Sequence, residues 1–497
     1  MLFNSIEFLL FFPIVTFLYF ALPFRYRWFL LLTASCIFYM AFVPIYILIL
    51  AITILIDYFA AIYIDRSEGK RKKTYLILSI ISTCLVLFVF KYFNFFITNI
   101  NDIAGFLGLN YPFHILHIIL PIGLSFHTFQ SLSYVIEVYR GHQKPEHHFG
   151  IYSLYVMFYP QLVAGPIERP QNLLHQFHQE HRFNYTDVSQ GLKRMAWGMF
   201  KKIVIADRLA IAVNYVYNNP GEQTSLAIIL ATIFFAFQIY CDFSGYSDIA
   251  IGAARVMGIR LMNNFDRPYF SATVAEFWTR WHISLSSWLR DYLFLPLAYF
   301  FSRKLKKESY FRMNSNQIIY AMATMITFTL CGLWHGAAWT YVVWGILNGI
   351  YLVTGNILKK PKNRFFKKTG LKKFPGLIYT QGLLVTFGLI CFSWIFFRAR
   401  TFNEVGTLLS GLFTRWDFSG DYFQKSLFLG LDIKGLVTVL LAIIILLLFD
   451  IMQTRKPIQL TIQKQPPLVR WAIYFVFINV IFIMGIFGGT EFIYFQF

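Results

Sequence analysis

The sequence predicts an all-α polytopic integral membrane protein of about 11–14 spanning or re-entrant helices, at ~20 apolar residues per crossing. Three observations carry this reading. Of 497 residues, 57% are apolar and 14% charged, whereas a soluble globular chain carries roughly one quarter charged. The apolar residues gather in runs of membrane-crossing length separated by short polar stretches. The formal net charge of +20 is concentrated in a few of those stretches. An ordinary cytosolic enzyme and a disordered chain are both excluded.

Taken in order, the candidate spans are 7–23, 28–42, 44–64, 75–97, 113–136, 150–165 and 196–218, then 225–241, 317–334, 337–358, 377–397, 433–450 and 468–488. The first lacks a basic start and a small-residue cleavage site, so it reads as a retained span, not a signal peptide. Arg25 and Arg27 follow the first span, and RSEGKRKK (66–73) follows the third. With a hairpin between them these loops share one side, which is cytoplasmic by the positive-inside rule. The 98–112 loop, without Lys or Arg, then lies outside, and KKPKNRFFKKTGLKK (359–373), with eight basic residues and no acid, lies inside. The positive charge is therefore mainly an orientation signal, and nothing resembles a nucleic-acid-binding module. The five cysteines, four of them in apolar runs, read as small buried hydrophobes rather than a disulfide framework.

One region cannot be an ordinary span. DRPYFSATVAEFWTRWHISLSSWLRDYLFL (266–295) holds Asp266, Arg267, Glu276, Arg280, His282, Arg290 and Asp291 among aromatic residues. Facing lipid, these groups would be very costly, so the segment is expected at an interface or lining a polar cavity. QIYCDFSGYSDIAIGAARVMG (238–258) likewise brings Asp242, Asp248 and Arg255 into apolar surroundings. No internal repeat and no soluble domain is visible, so 1–497 reads as a single transmembrane domain with a polar active-site region at about 238–348.

Histidine placement singles out two residues. Nine of the eleven histidines precede residue 182, and the rest of the chain holds only His282 and His335. His335 lies in TLCGLWHGAAWTYVVWGILNG (329–349), between small residues expected to clear space and the rigid walls Trp334, Trp339 and Trp344. A straight helix from about 317 would place it ~27 Å along, in the outer half of the membrane, unless the glycines break the helix and leave it deeper. His282 lies in FWTRWHISLSSWLRDYLFLPL (277–297), beside Ser284, Ser286 and Ser287. A neutral imidazole without metal partners suits general-base catalysis, taking the proton of a hydroxyl as it attacks an activated acyl group. The second histidine would hydrogen-bond the acyl oxygen, orient the acceptor, or protonate the leaving group. Trp334, Trp339, Ser286, Arg290, Asp291, Asp242 and Asn348 are the candidates for lining the substrate path. No metal is expected. His114/His117 and His175/His178/His181 have one-face helical spacing, but the second set sits in a polar, solvated stretch. On these residues alone an O-acyltransferase, a glycan or lipid transporter and a non-catalytic scaffold all stay open.

F-W-x-R-W-H-x-S-L-S-x-W-L-R-D-Y together with G-L-W-H-G-A-A-W resembles the membrane-bound O-acyltransferase (MBOAT) family, in its alginate O-acetyltransferase membrane-subunit branch. V-A-G-P-I-E-R-P (163–170), Q-I-Y-C-D-F-S-G-Y-S-D-I-A (238–250), N-F-D-R-P-Y (264–269) and F-I-Y-F-Q-F (492–497) match as well. The chain departs where the branch often has a glycine-rich turn, reading P-L-A-Y-F-F-S-R-K-L-K-K (296–307). The resemblance implies a ring of helices around a central tunnel, with His335 and His282 as the catalytic pair. It also implies acetyl-CoA as a cytoplasmic donor with no bound cofactor, and an extracytoplasmic polysaccharide as acceptor. A periplasmic or extracellular SGNH-like acetyltransferase partner and a bacterial cytoplasmic (inner) membrane location follow from it too. D-alanyl transfer to a cell-envelope polymer is the alternative within the family.

Overall fold

A backbone amide facing lipid has no water to bond, so an apolar run must satisfy its own N–H and C=O groups by folding as a helix. The computed structural model describes residues 1–109, 113–116, 120–310, 313–455, 458–488 and 492–493. Among them, eight helices are long and apolar enough to cross a membrane: Pro44–Asp65, Gly69–Phe106, Ser225–Val256, Ser315–His335, Trp339–Lys368, Pro375–Arg398, Ile433–Gln453 and Pro467–Met484. Ile6–Ala21 is a shorter apolar helix of 16 residues. The strands described are one antiparallel pair, Ser309–Tyr310 with Met313–Asn314. The protein is an all-α, multi-pass membrane protein.

Several predicted spans take another form. Segment 150–165 is two short helices, Phe149–Met157 and Tyr159–Leu162, split where Phe158 adopts an extended ψ ahead of Pro160. Every residue from 151 to 168 is buried, so its apolarity serves protein packing rather than lipid contact. Segment 196–218 is interrupted by a π-turn, Phe200–Ala206, between helices Tyr185–Met199 and Asp207–Tyr217. The helix predicted over 113–136 begins only at Leu124, and residues 117–119, including His117, lie outside the described residues. Cys241, Cys331 and Cys391 are buried as expected, while Cys36 is half-buried and Cys84 exposed.

The chain forms two compact units, residues 1–195 with 247–263, and residues 196–246 with 264–497. In the first, the spanning helix Ile47–Asp65 buries Asp57 completely. Ser79 (2.6 Å), Thr83 (3.1 Å) and Ser131 donate their hydroxyls to its carboxylate. Arg194 pairs with Asp248 at 2.8 Å and Arg255 with Asp187 at 3.2 Å. These helices approach closely at Gly191 and Gly252, where an added Cβ on either would sit 2.6 Å from the other's carbonyl oxygen. Gln176 grips the backbone of Arg260 twice, at 2.8 Å each way.

In the second unit the π-turn carries two consecutive buried lysines. Lys201 donates to Ser244 at 2.9 Å. Lys202 lies 2.8 Å from Asp207 and 2.7 Å from Asp242. The other oxygen of Asp242 accepts the backbone N–H of Ile493 at 2.7 Å. Ser315–His335 and Trp339–Lys368 form an antiparallel hairpin whose axes meet at Gly332 and Gly345. A Cβ at Gly332 would lie 2.2 Å from the Tyr341 carbonyl oxygen, and one at Gly345 2.2 Å from that of Phe328. Such small-residue crossings let membrane helices pack backbone to backbone.

Candidate active site

Both histidines singled out by the sequence lie in the second unit. His335 is the last residue of its helix, because Gly336 turns to extended backbone (φ −160, ψ 146). The helix therefore breaks at the glycine, not before it. Gly332 and Gly336 do not clear space beside the imidazole as expected. Gly332 serves the hairpin crossing, and a Cβ on Gly336 would strike the Tyr341 ring at 2.2 Å. His335 is buried and enclosed by rings that meet it edge-on: Trp334 at 4.8 Å between centroids, Trp344 at 4.9 Å and Phe397 at 5.4 Å. A second layer fixes these walls, with Trp344 stacked on Trp394 at 5.8 Å and Trp394 against Trp281 at 5.3 Å.

His282 is fully buried between helices Val274–Arg280 and Ile283–Leu289. Its backbone is left-handed (φ 44, ψ 55), a region that non-glycine residues occupy only when their surroundings hold them there. The Phe243 ring meets the imidazole edge-on at 4.6 Å. The Trp334 ring lies 6.3 Å from it. One indole, that of Trp334, is thus a neighbour of both histidines.

The seven ionisable residues of 266–295 separate into two kinds. Six form three ion pairs on partly or largely exposed side chains: Arg267 with Asp266 (2.7 Å), Arg280 with Glu276 (2.7 Å) and Arg290 with Asp291 (2.8 Å). The seventh, His282, is the one inside. Arg290 and Asp291 open the π-turn Arg290–Phe294. Ser286, half-buried, caps the Trp281 carbonyl at 3.0 Å. Trp339 is about half exposed at the first turn of its helix, at 51%. Asn348 accepts the Trp278 indole N–H at 3.2 Å and donates to the Trp344 carbonyl at 2.9 Å. It thereby braces a wall of the His335 enclosure. Asp242 is engaged with Lys202 and the Ile493 backbone; its neighbour Phe243 is the residue that touches His282.

The residue missed by sequence reasoning is Asn264. Buried at 1% exposure, it lies 3.1 Å from His282 Nδ1 and accepts from both the backbone N–H and the hydroxyl of Ser284. It stood in the N-F-D-R-P-Y motif, but a neutral amide beside polar neighbours carries no periodicity or charge signal. The remaining histidines disperse. His178 pairs with Glu146 at 2.7 Å, His142 with Glu137 at 3.0 Å, and His181 donates to the Gln176 carbonyl at 2.9 Å. Among the described residues no three His, Cys, Asp or Glu side chains converge as metal ligands.

The chain is thus a helical membrane protein that encloses two buried histidines among aromatic rings. Residues 146–398 match the membrane-bound O-acyltransferase family, and this stretch contains both histidines. The chain is 35% identical over 464 residues to a probable alginate O-acetylase AlgI of Pseudomonas aeruginosa, covering 92% of this chain and 83% of that protein. It is 32% identical over 409 residues to a peptidoglycan O-acetyltransferase of Helicobacter pylori, covering 77% and 73%. A teichoic acid D-alanyltransferase of Streptococcus thermophilus is 30% identical over 289 residues, covering 56% and 68%. The chain belongs to the membrane-bound O-acyltransferase family and is an O-acyltransferase.

Proposed function

We propose that this protein passes an acetyl group from cytoplasmic acetyl-CoA toward hydroxyls of an extracytoplasmic polysaccharide, through a tunnel in the bacterial inner membrane, with His335 as general base and His282 assisting. The observation that carries the reading is that the two histidines left in the later part of the chain are both buried and both border the Trp334 indole. The relatives named for alginate and peptidoglycan O-acetylation support acetyl as the group and a glycan as the acceptor.

In this reading the acceptor oxygen attacks the thioester carbonyl carbon while its proton moves to the His335 imidazole. The carbon–sulfur bond then breaks, and the proton goes to the departing thiolate, so the products are an acetyl ester and free coenzyme A. Such a base typically contributes ~10²–10⁴-fold. The aromatic walls hold the ring and keep bulk water from competing with the hydroxyl. An SGNH-like acetyltransferase outside the membrane is the proposed partner that completes transfer to the polymer. The family resemblance supports that partner.

The test is acetyl transfer by the protein in proteoliposomes together with an SGNH-like acetyltransferase, from labelled acetyl-CoA to alginate or peptidoglycan fragments, with release of coenzyme A read in parallel. His335→Ala is expected to insert normally and lose at least about 10²-fold in rate. A variant with the unaltered rate would overturn the assignment.

A further inference from the structure

We propose that Asn264 is a positioning residue that locks His282 in the tautomer protonated on Nδ1, so that the neutral ring carries its lone pair on Nε2. This rests on His282 taking part in acyl transfer, as proposed above. Three groups converge on the Asn264 side-chain oxygen: the Ser284 backbone N–H at 3.3 Å, the Ser284 hydroxyl at 2.8 Å and His282 Nδ1 at 3.1 Å. A backbone N–H can only donate, so the amide atom it faces is the oxygen and not the NH₂. An amide oxygen has no hydrogen to offer, so Nδ1 must supply one. In the neutral ring the lone pair is then on Nε2.

The same residue also holds the backbone. The Asn264 carbonyl accepts the Ile283 N–H at 2.9 Å, so Asn264 grips the chain on either side of the Cα–C bond that sets the left-handed turn at His282. Phe243 and Trp334 flank the ring and resist its rotation. Phe243, Trp334 and Asn264, which neighbour the imidazole, carry no charge. Asp242, next to Phe243 in sequence, is tied to Lys202.

This narrows the roles open to His282. With its lone pair on Nε2, the neutral ring accepts a hydrogen bond there, which suits orienting the acceptor hydroxyl, and does not donate one to the acyl oxygen. When Nε2 gains a proton, the Nδ1–H bond to Asn264 persists. The amide therefore steadies the ring in both charge states without titrating itself, as hydrogen-bond partners that orient working histidines do.

The experiment is ¹⁵N spectroscopy of the full chain in lipid nanodiscs with ring-labelled histidine, the His282 signal being the one lost in His282→Gln. A neutral ring protonated on Nδ1 is expected in the wild type and Asn264→Asp, and a mixed or Nε2-protonated ring in Asn264→Ala. A wild-type ring protonated on Nε2, or an unchanged tautomer in Asn264→Ala, overturns the proposal. In acetyl transfer, Asn264→Ala is expected to lose tenfold or more in kcat with KM for acetyl-CoA unchanged. Asn264→Asp is expected to keep most of the rate while the acidic limb of its pH–rate profile moves up, because a carboxylate holds the imidazolium more tightly. A purely structural role would leave that limb in place. Full activity in His282→Gln would remove the catalytic reading of His282, whereas the tautomer signal judges Asn264 independently.

Discussion

Glu168 shows how a single buried side chain makes stability depend on pH. It lies in the loop before Pro170, outside the spanning helices, fully buried, with the Met262 N–H on one oxygen at 2.5 Å. Burial pushes its carboxyl up to about 7, against the opposing pull of Met262, Asn172 and Arg169. The folded state thus holds a proton that the unfolded chain releases near 4.5, so stability is full below that value and falls as pH rises toward 7. Glu168→Gln keeps an acceptor for Met262 and removes the titration. Its unfolding free energy is expected to equal the wild type's near pH 4.5 and exceed it at pH 8, by on the order of 3 kcal/mol. Parallel thermal melts at the two pH values check this. At this scale His335 and His282 were legible because the apolar background makes late histidines conspicuous. Glu168 and Asn264 were not, since neither a carboxyl nor an amide announces which backbone N–H it will meet. The pairing of the charged residues of 266–295 was hidden for a related reason. Composition counts charges but cannot pair them, and three pairings account for six of the seven.

Helices crossing at glycine leave no room for a methyl group. At Gly345 an added Cβ would meet the Phe328 carbonyl oxygen at 2.2 Å and Gly332 Cα at 3.1 Å. Neither is a flexible side chain that can swing away. Gly345→Val is therefore expected to force the hairpin apart and destabilise the protein by about 3 kcal/mol or more, at or beyond the upper end of ordinary overpacking. Because Trp344 is the adjacent wall of His335, activity should fall with it. Fluorescence-detected size exclusion after heating, with an acetyl-transfer assay, reads both. A thermally unaltered variant would contradict the crossing. Most long helices were legible from hydropathy alone, as for Ser315–His335 and Trp339–Lys368, predicted within a few residues at their N-terminal ends. Segment 150–165 was not, because hydropathy does not distinguish a run facing lipid from one buried in protein. The π-turn at 200–206 was hidden too. Hydropathy does not register the wider turn that directs two adjacent lysines inward.

Across the molecule, excess positive charge and buried charge follow different rules. The loop lysines carry the pattern expected of an orientation signal, whereas Lys202 is 5% exposed and flanked by Asp207 and Asp242. Removing one member of a buried ionic cluster leaves the others uncompensated, at a typical cost of ~3–5 kcal/mol. Lys202→Met strands two carboxylates and is expected to lower stability by about that amount, seen as aggregation or loss of detergent-solubilised monomer at temperatures the wild type tolerates. Restoring neutrality with Asp207→Asn and Asp242→Asn in the same chain should recover part of the loss. The membrane class was legible from composition at this scale, and the family from ordered motifs. The division into two units was not, because long-range contacts leave no mark on local pattern.

The bond from Ile493 to Asp242 also sets a clock. Its partners are 251 residues apart, and a ribosome adding ~5–20 residues per second needs roughly 13–50 s to make the second after the first. During that interval Asp242 is already made while the backbone N–H it will accept has yet to be synthesised. The helix bearing Phe243, which touches His282, therefore cannot reach its finished surroundings until Ile493 has been translated. Assembly of the site waits on a segment made long after the residues that form it.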